Sequence, residues 1–95
     1  MLFVLYCRDR RDAGSLRQTN RPAHLEWAKG QTGIRMAGPL LDDDEQMIGS
    51  LFVIEAENRG AIEQLHASDP YVKAGLFERV EIHPFRWLLG DGPAR

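Results

Sequence analysis

The segment LFVLYC, residues 2–7, carries large apolar side chains at successive positions, and the segment LFVI, residues 51–54, repeats the pattern. Alternate residues of a strand point to opposite faces of a sheet, so both segments predict strands that are buried on both faces. They belong to the first and third of four predicted strands, which lie at residues 2–7, 34–41, 47–56 and 77–87.

The region between the first two strands predicts two helical pieces. Residues 15–19 predict a single turn, and Asn20 then resembles the N-cap of a separate, firmer helix over residues 23–31. Pro22 fits the first turn of that helix, because a first-turn residue needs no amide hydrogen. Gly33 is the expected C-terminal cap.

The second half of the chain repeats the alternation of strand and helix. Asn58 is an N-cap residue for a second helix that extends to about residue 67. The pair Asp69-Pro70 predicts a short helical turn that Gly75 closes. A bulge or a bend is expected at Gly38-Pro39, because proline cannot donate a ladder hydrogen bond.

The resulting order, β-α-β-β-α-β, is typical of a ferredoxin-like α+β sandwich with a four-stranded antiparallel sheet. Two helices cover only one face of such a sheet, whereas the apolar strands need both faces buried. We therefore expect a homodimer that pairs through the open sheet face. A chain of 95 residues holds one core, so we expect one domain over residues 1–87 and a loose tail over residues 88–95.

Composition narrows the class of protein. Hydrophobic residues make up 43% and charged residues 27%, which is typical of a globular domain. A single cysteine, Cys7, excludes an internal disulfide and is expected in the core. No signal peptide or membrane span is visible, which predicts a cytoplasmic protein without a membrane partner.

Charge is unevenly distributed along the chain. Residues 1–35 hold seven Arg or Lys against three Asp or Glu, a net charge of +4 that the remainder offsets with −6, including the acidic hairpin loop at residues 42–46. The basic half suits an acidic small molecule or a nucleic acid, and it equally suits a solvated surface. Ferredoxin-like RNA binders carry a Gly-Phe-rich aromatic strand, and its absence argues against a nucleic-acid partner.

Five short motifs occur in one order along nearly the whole chain: RPAHL at 21–25, AGP at 37–39, GS at 49–50, DPYV with AG at 69–75, and PF at 84–85. Together they resemble the YciI-like (YCII-related) family. The resemblance implies a dimeric ferredoxin-like fold with a pocket centred on a His–Asp pair, which falls on His24 and Asp69. Distant relatives of this architecture are isomerases or dehalogenating lyases that act on small aromatic or lactone-like molecules. The loop at residues 42–46 is shorter than is common in relatives, which leaves the substrate range open.

His24 and Asp69 are the candidate catalytic residues. Imidazole suits proton transfer near neutral pH, and a general base needs one ring nitrogen held by a partner such as a carboxylate. His24 alone is equally consistent with a surface histidine of the helix, and Asp69 with a helix N-cap. The two functions of Asp69 are compatible, because a carboxylate has two oxygens.

Three further residues are candidates for substrate binding. Ser50 follows Gly49, which permits close backbone approach, and its hydroxyl is also consistent with an ordinary strand serine. Tyr71 either donates its phenol to a substrate oxygen or packs its ring. Arg21 either holds a substrate carboxylate or is solvated at the helix start.

No cofactor motif or metal-ligand spacing is present, so we predict neither a cofactor nor a metal. His66 is expected to face the C-terminal dipole of its helix, and His83 to face solvent. The leading hypothesis is a small-molecule enzyme, an isomerase or lyase with a His–Asp acid/base site. The alternative is a non-catalytic dimeric module that binds a small metabolite or a partner protein.

Overall fold

Four strands form one antiparallel sheet in the computed structural model, which describes residues 1–91. Its strands are β1 (Leu2–Asp9), β2 (Ile34–Leu41), β3 (Met47–Glu55) and β4 (Phe77–Phe85), in the spatial order β2-β3-β1-β4. All three neighbouring pairs run antiparallel. The ferredoxin-like arrangement predicted from the order of elements is confirmed.

The two apolar segments lie at the centre of the sheet, where they pair with each other. Leu5 lies opposite Phe52 and Phe3 opposite Ile54, and these four side chains are at most 1% exposed. They form the core with Cys7 and Ile62, beneath the helices. Strands β1 and β3 thus lie at the centre of the sheet because both of their faces carry large apolar side chains, which are stabilised by burial.

A single helix, α1, spans Leu16–Lys29 and contains Pro22, so the prediction of two separate helical pieces is wrong. Asn20 is not a cap; it is an interior residue whose side-chain amide donates to the carbonyl of Leu16 at 2.9 Å. An interior proline costs about 3 kcal/mol. Buried contacts of Arg17, described below, hold the turn before Pro22 in place and oppose that cost.

Two further helices follow β3, and their predicted caps are confirmed. Asn58 accepts a hydrogen bond from the amide of Ala61 at 2.9 Å at the start of α2 (Arg59–Ala67). Asp69 caps α3 (Pro70–Lys73) by accepting from the amide of Tyr71. Gly75 closes this turn with a φ of 74°, a conformation that glycine adopts without strain.

Two glycine predictions need correction. Helix α1 ends at Gly30, so Gly33 is not its cap; a Cβ at Gly33 would lie 2.6 Å from the carbonyl oxygen of Glu55, which explains why a glycine is needed there. Strand β2 has its register shifts between Ile34 and Met36 and between Leu40 and Leu41, not at Gly38-Pro39. Because β2 is an edge strand, its proline breaks no sheet pairing on the outer side.

The chain after β4 was predicted to form a loose tail over residues 88–95. Strand β4 ends at Phe85, and Leu88 and Leu89 are strongly exposed. Residues 92–95 lie outside the described part of the chain. No helix within residues 1–91 is long and apolar enough to span a membrane.

Candidate active site

A cavity of about 270 Å³ lies between α1 and the β2–β3 edge of the sheet. That size is near the lower limit of about 300 Å³ for ligand pockets, which suits a compound with one ring. Helix α1 forms one wall with residues spaced at i, i+4, i+7, i+8 and i+11, which share one face of a helix. The lining residues of α1 are Arg17, Arg21, His24, Leu25 and Ala28, and those of the other elements include Pro39, Met47, Ser50, Phe52 and Tyr71.

His24 and Asp69 are joined by a hydrogen bond of 2.8 Å between Nδ1 and Oδ1. His24 is 9% exposed and Asp69 is fully buried. The same Oδ1 accepts from the amide of Tyr71 at 2.9 Å. A carboxylate oxygen that caps a helix acts as an acceptor, so Nδ1 of His24 is the donor and Nε2 is the ring nitrogen left for a bound molecule.

Aromatic rings hold the imidazole of His24 in place. The ring of Tyr71 is stacked on it at a centroid distance of 4.0 Å and an interplanar angle of 12°. The Phe52 ring meets the imidazole in a T-shaped arrangement, with a distance of 6.1 Å between ring centroids. The centroid of the Trp27 ring lies 5.8 Å from that of the imidazole. Trp27 is itself tied to the end of α2 by a 2.8 Å hydrogen bond from its indole to the hydroxyl of Ser68. The imidazole therefore has one defined orientation.

Arg17 is a buried arginine at the same cavity. Its Nε and Nη2 donate to the two carboxylate oxygens of Asp9, each at 2.8 Å, and Nη2 also donates to Ser50 Oγ at 2.9 Å. Burial alone would lower the pKa of this guanidinium, but its hydrogen bond to Asp9 and the charge of that carboxylate raise it. Arg17 is thus a permanently charged group in the cavity wall.

The candidate residues predicted from the sequence lie together around this cavity. Ser50, Tyr71, Arg21 and His24 line it, and Asp69 lies behind His24. Burial raises the pKa of the Tyr71 phenol, and the charges of Arg17 and Arg21, with a hydrogen bond from Arg17, only partly oppose this. The phenol is therefore protonated at neutral pH and available as a hydrogen-bond donor.

Sequence reasoning missed Arg17 and its partner Asp9. The signal was present, because Arg17, Arg21 and His24 are spaced at i, i+4 and i+7 and so share one face of a helix. It was hidden by the predicted break at Asn20, which placed Arg17 outside the helix that carries His24. Asp9 had no signal of its own, because its pairing depends on how α1 crosses β1.

Two other groups lie behind the cavity rather than in it. Cys7 belongs to the core, and its Sγ lies 3.5 Å from Nε2 of His66. Burial, reinforced by the charge of Asp69, raises the pKa of the Cys7 thiol to about 12. His66 lies in the last turn of α2, as predicted, and burial lowers the pKa of its imidazole. His83 is mostly exposed, as predicted, and lies beside Glu81.

The side chains described offer no metal centre. Within residues 1–91, no three His, Cys, Asp or Glu side chains are grouped so that they could hold a metal ion. The groups available at the cavity are instead an imidazole, a hydroxyl, a phenol and two guanidinium groups. This set can move a proton and bind an oxygen anion.

Comparison with known proteins places the chain among small α+β proteins. A family model described as the YCII-related domain matches residues 1–86. A protein named YciI from Escherichia coli is 33% identical over 95 residues, which cover 90% of this chain and 97% of that protein. An antibiotic biosynthesis monooxygenase shares the fold, with a TM-score of 0.57 at 11% identity over 94% of this chain and 100% of that one.

One similar structure carries a small molecule. It is 5-chloro-2-hydroxyhydroquinone dehydrochlorinase (TftG) from Burkholderia phenoliruptrix AC1100, in complex with 2,5-dihydroxybenzoquinone. It has a TM-score of 0.79 and 37% identity to this chain, and the match covers 95% of this chain and 96% of that one.

Proposed function

The chain belongs to the YCII-related domain family, and on that premise we propose that it is a small-molecule enzyme whose His24–Asp69 pair transfers a proton. The observation that carries the proposal is the 2.8 Å bond from Nδ1 of a buried imidazole to a fully buried carboxylate, beside a cavity of ligand size. The remaining nitrogen, Nε2, acts as general base and then as general acid. Asp69 orients the ring.

The substrate class follows from the size and lining of the cavity and from the similar dehydrochlorinase. We infer a compound with one ring that bears hydroxyl or carbonyl groups. Tyr71 and Ser50 offer hydrogen bonds to its oxygens, while Phe52 and Pro39 pack against its ring. Arg21, on the outer turn of the same helix face, attracts a negatively charged substituent. The short acidic loop at residues 42–46 contributes Glu45 and Gln46 to the wall of a neighbouring cavity.

The reaction we propose is isomerisation or elimination without a cofactor. Nε2 of His24 takes the proton of a ring hydroxyl and delivers it to a ring carbon, which converts the ring to its keto tautomer. When that carbon bears a halide, the halide leaves as the second hydroxyl loses its proton, so the net loss is one hydrogen halide and the product is a quinone. No oxidant or reductant is consumed.

A screen of ring-hydroxylated compounds, with and without a halide, tests this proposal. Halide release is measured with a halide electrode and quinone formation by absorbance, for the wild-type protein, for His24→Gln and for the control Glu63→Gln. We expect turnover of at least one compound, with a loss of at least about 100-fold in His24→Gln. The control residue is exposed on α2, away from both the cavity and the open sheet face, and should keep full activity. Equal turnover by His24→Gln would contradict the proposal.

The second candidate function is a non-catalytic module that binds a small metabolite or a partner protein. It is favoured by a neighbouring cavity of about 410 Å³ that shares Arg17, Arg21 and Met47 with the first, because a shared wall leaves room for a ligand larger than one ring. Tight binding of a compound that the protein leaves chemically unchanged would support this alternative. The buried His24–Asp69 pair favours chemistry instead.

We also propose that two copies pair through the open sheet face. By strand register, the apolar side chains of this face lie mainly on β1, β2 and β3, whereas β4 adds Phe85 beside the polar Arg79, Glu81 and His83. The apolar residues of the first three strands are Leu2, Val4, Tyr6, Met36, Leu40, Leu51 and Val53. Tyr6 and Phe85 are about 40% exposed, at 37% and 41%. Light scattering at micromolar concentration should give twice the chain mass, and Leu51→Lys should give a monomer. A monomeric wild-type protein would contradict the dimer.

A further inference from the structure

Arg17 has a hydrogen-bond donor that its protein partners do not use. The residue is 8% exposed, and its Nε and Nη2 are occupied by Asp9 and Ser50. The guanidinium also makes a hydrogen bond with the phenol of Tyr71. The other terminal nitrogen, Nη1, makes no hydrogen bond to a carboxylate or a carbonyl oxygen within residues 1–91. Of the five N–H groups of Arg17, three serve Asp9 and Ser50 and one serves Tyr71, so one charged N–H group is left for a molecule bound in the cavity that Arg17 lines.

Ser50 is oriented by the same contact. Its Oγ accepts a hydrogen bond from Nη2 of Arg17, so the hydroxyl must direct its own proton elsewhere. No side chain or carbonyl within residues 1–91 accepts that proton. Ser50 also lines the cavity, and its hydroxyl is therefore a second donor beside Nη1 of Arg17.

The charge balance of the cavity favours an anion. Its lining residues include two arginines and no Asp or Glu. Asp9 neutralises Arg17 only from behind, through the edge formed by Nε and Nη2. The guanidinium carbon lies 4.8 Å from the centroid of the Tyr71 ring, and the same ring is stacked on His24. Arg17 and His24 thus both contact the Tyr71 ring, and both line the same cavity.

We propose that Arg17 Nη1 and the Ser50 hydroxyl form a binding site for the ionised oxygen of a planar ring compound, an enolate or a phenolate. The inference deepens the proposed function, because His24 would exchange a proton with a carbon of the same ring. Donors placed where negative charge lies stabilise it without having to reorganise. The site would therefore select ionised rings over neutral rings of the same size.

Isothermal titration calorimetry with two probes at neutral pH tests the proposal. 2,5-Dihydroxybenzoquinone is ionised under these conditions and hydroquinone is neutral, and the two rings are similar in size. We expect the wild-type protein to bind the ionised ring more tightly. Ser50→Ala, which keeps the Arg17–Asp9 pair, should weaken binding of the ionised ring by about 10-fold or more, because a hydrogen bond to a charged group is lost.

Removal of Arg17 requires a neutral partner in place of Asp9, since a buried carboxylate without its partner would destabilise the fold. The double variant Asp9→Asn with Arg17→Gln should lose about 10- to 100-fold in affinity for the ionised ring and little for hydroquinone. Arg59→Gln, an exposed arginine at the start of α2, is the matched control and should bind like the wild type.

Two results would overturn the inference. One is a wild-type protein that shows no preference for the ionised ring, and the other is a Ser50 or double variant that binds it within about 3-fold of the wild type. The proposed function fails separately, if His24→Gln keeps its turnover while binding of the ionised ring still depends on Arg17 and Ser50. Conversely, loss of turnover in His24→Gln with unchanged anion binding in the Arg17 variants would refute this inference alone.

Discussion

Replacement of Asp69 by alanine removes two buried interactions at once. The carboxylate caps α3 through the amide of Tyr71 and accepts the Nδ1 proton of His24. Loss of an N-cap costs about 1 kcal/mol. A buried donor left without an acceptor costs about 1–3 kcal/mol, and His24 is 9% exposed. Asp69→Ala should therefore lower the free energy of unfolding by about 2–4 kcal/mol.

Asn58→Ala is the matched control, because Asn58 caps α2 in the same way but holds no second group. Its loss should cost only about 1 kcal/mol. The difference between the two variants, about 1–3 kcal/mol, then measures the pairing of Asp69 with His24. The assay is urea unfolding followed by the fluorescence of Trp27 and Trp87.

Asp69→Asn removes the negative charge of the side chain but keeps a helix-capping oxygen. Asparagine caps helices as well as aspartate, and its carbonyl oxygen can keep both hydrogen bonds. Its amide group, however, would replace Oδ2, which is buried without a hydrogen-bond partner among the described residues. That burial should cost about 1–3 kcal/mol.

Equal destabilisation by Asp69→Ala and Asn58→Ala, within about 0.5 kcal/mol, would show that the His24 contact contributes nothing and would refute this reasoning.

Three further predictions concern the groups behind the cavity and the sheet. Burial lowers the pKa of His66, so the unfolded chain binds a proton at this imidazole more readily than the folded chain does. The free energy of unfolding should therefore fall as the pH drops below about 6.5, and it should fall less steeply in His66→Gln. Urea unfolding at several pH values measures both. A Cβ at Gly49 would lie 2.3 Å from the carbonyl oxygen of Cys7, so Gly49→Ala should lower the free energy of unfolding by about 1–3 kcal/mol, measured by thermal unfolding. Gly38→Ala is the control and should lower it less, because a Cβ at Gly38 meets open space. Iodoacetamide should leave native Cys7 unmodified during the time in which the urea-unfolded chain reacts completely, because burial raises the thiol pKa to about 12; rapid native labelling would contradict this.

Much of the fold could be predicted from the sequence, because its main signals are local. Two doubly apolar segments identify the central strands, and Asn58 and Asp69 identify the starts of α2 and α3. Helix α1 was split in error because Asn20 and Pro22 are strong local start signals. Contacts distant in sequence, from Arg17 to Asp9 and Ser50, outweigh those signals, and no local pattern reveals them.

The candidate site was predictable in its residue types but not in its geometry. The helix spacing that joins His24 to Arg21 is visible in the sequence, whereas the bond from His24 to Asp69 joins residues 45 positions apart. It depends on the packing of α3 against α1. The stack of Tyr71 on His24 depends on the same packing, which explains why Tyr71 was left between a donor role and a packing role. In the structure its ring packs against His24 while the residue also lines the cavity.

The central claim is that His24 transfers a proton between an oxygen and a carbon of a ring compound. Proton NMR of hydroxyquinol in deuterium oxide, without oxygen, tests it most directly, since each transfer to carbon replaces a ring hydrogen by deuterium whether or not a leaving group is present. We predict that the wild-type protein accelerates the exchange and that His24→Gln loses at least about 100-fold of that acceleration, while Glu63→Gln, exposed on α2, retains it. Exchange that is equally fast in His24→Gln, or no faster with the wild-type protein than in buffer, would contradict the account.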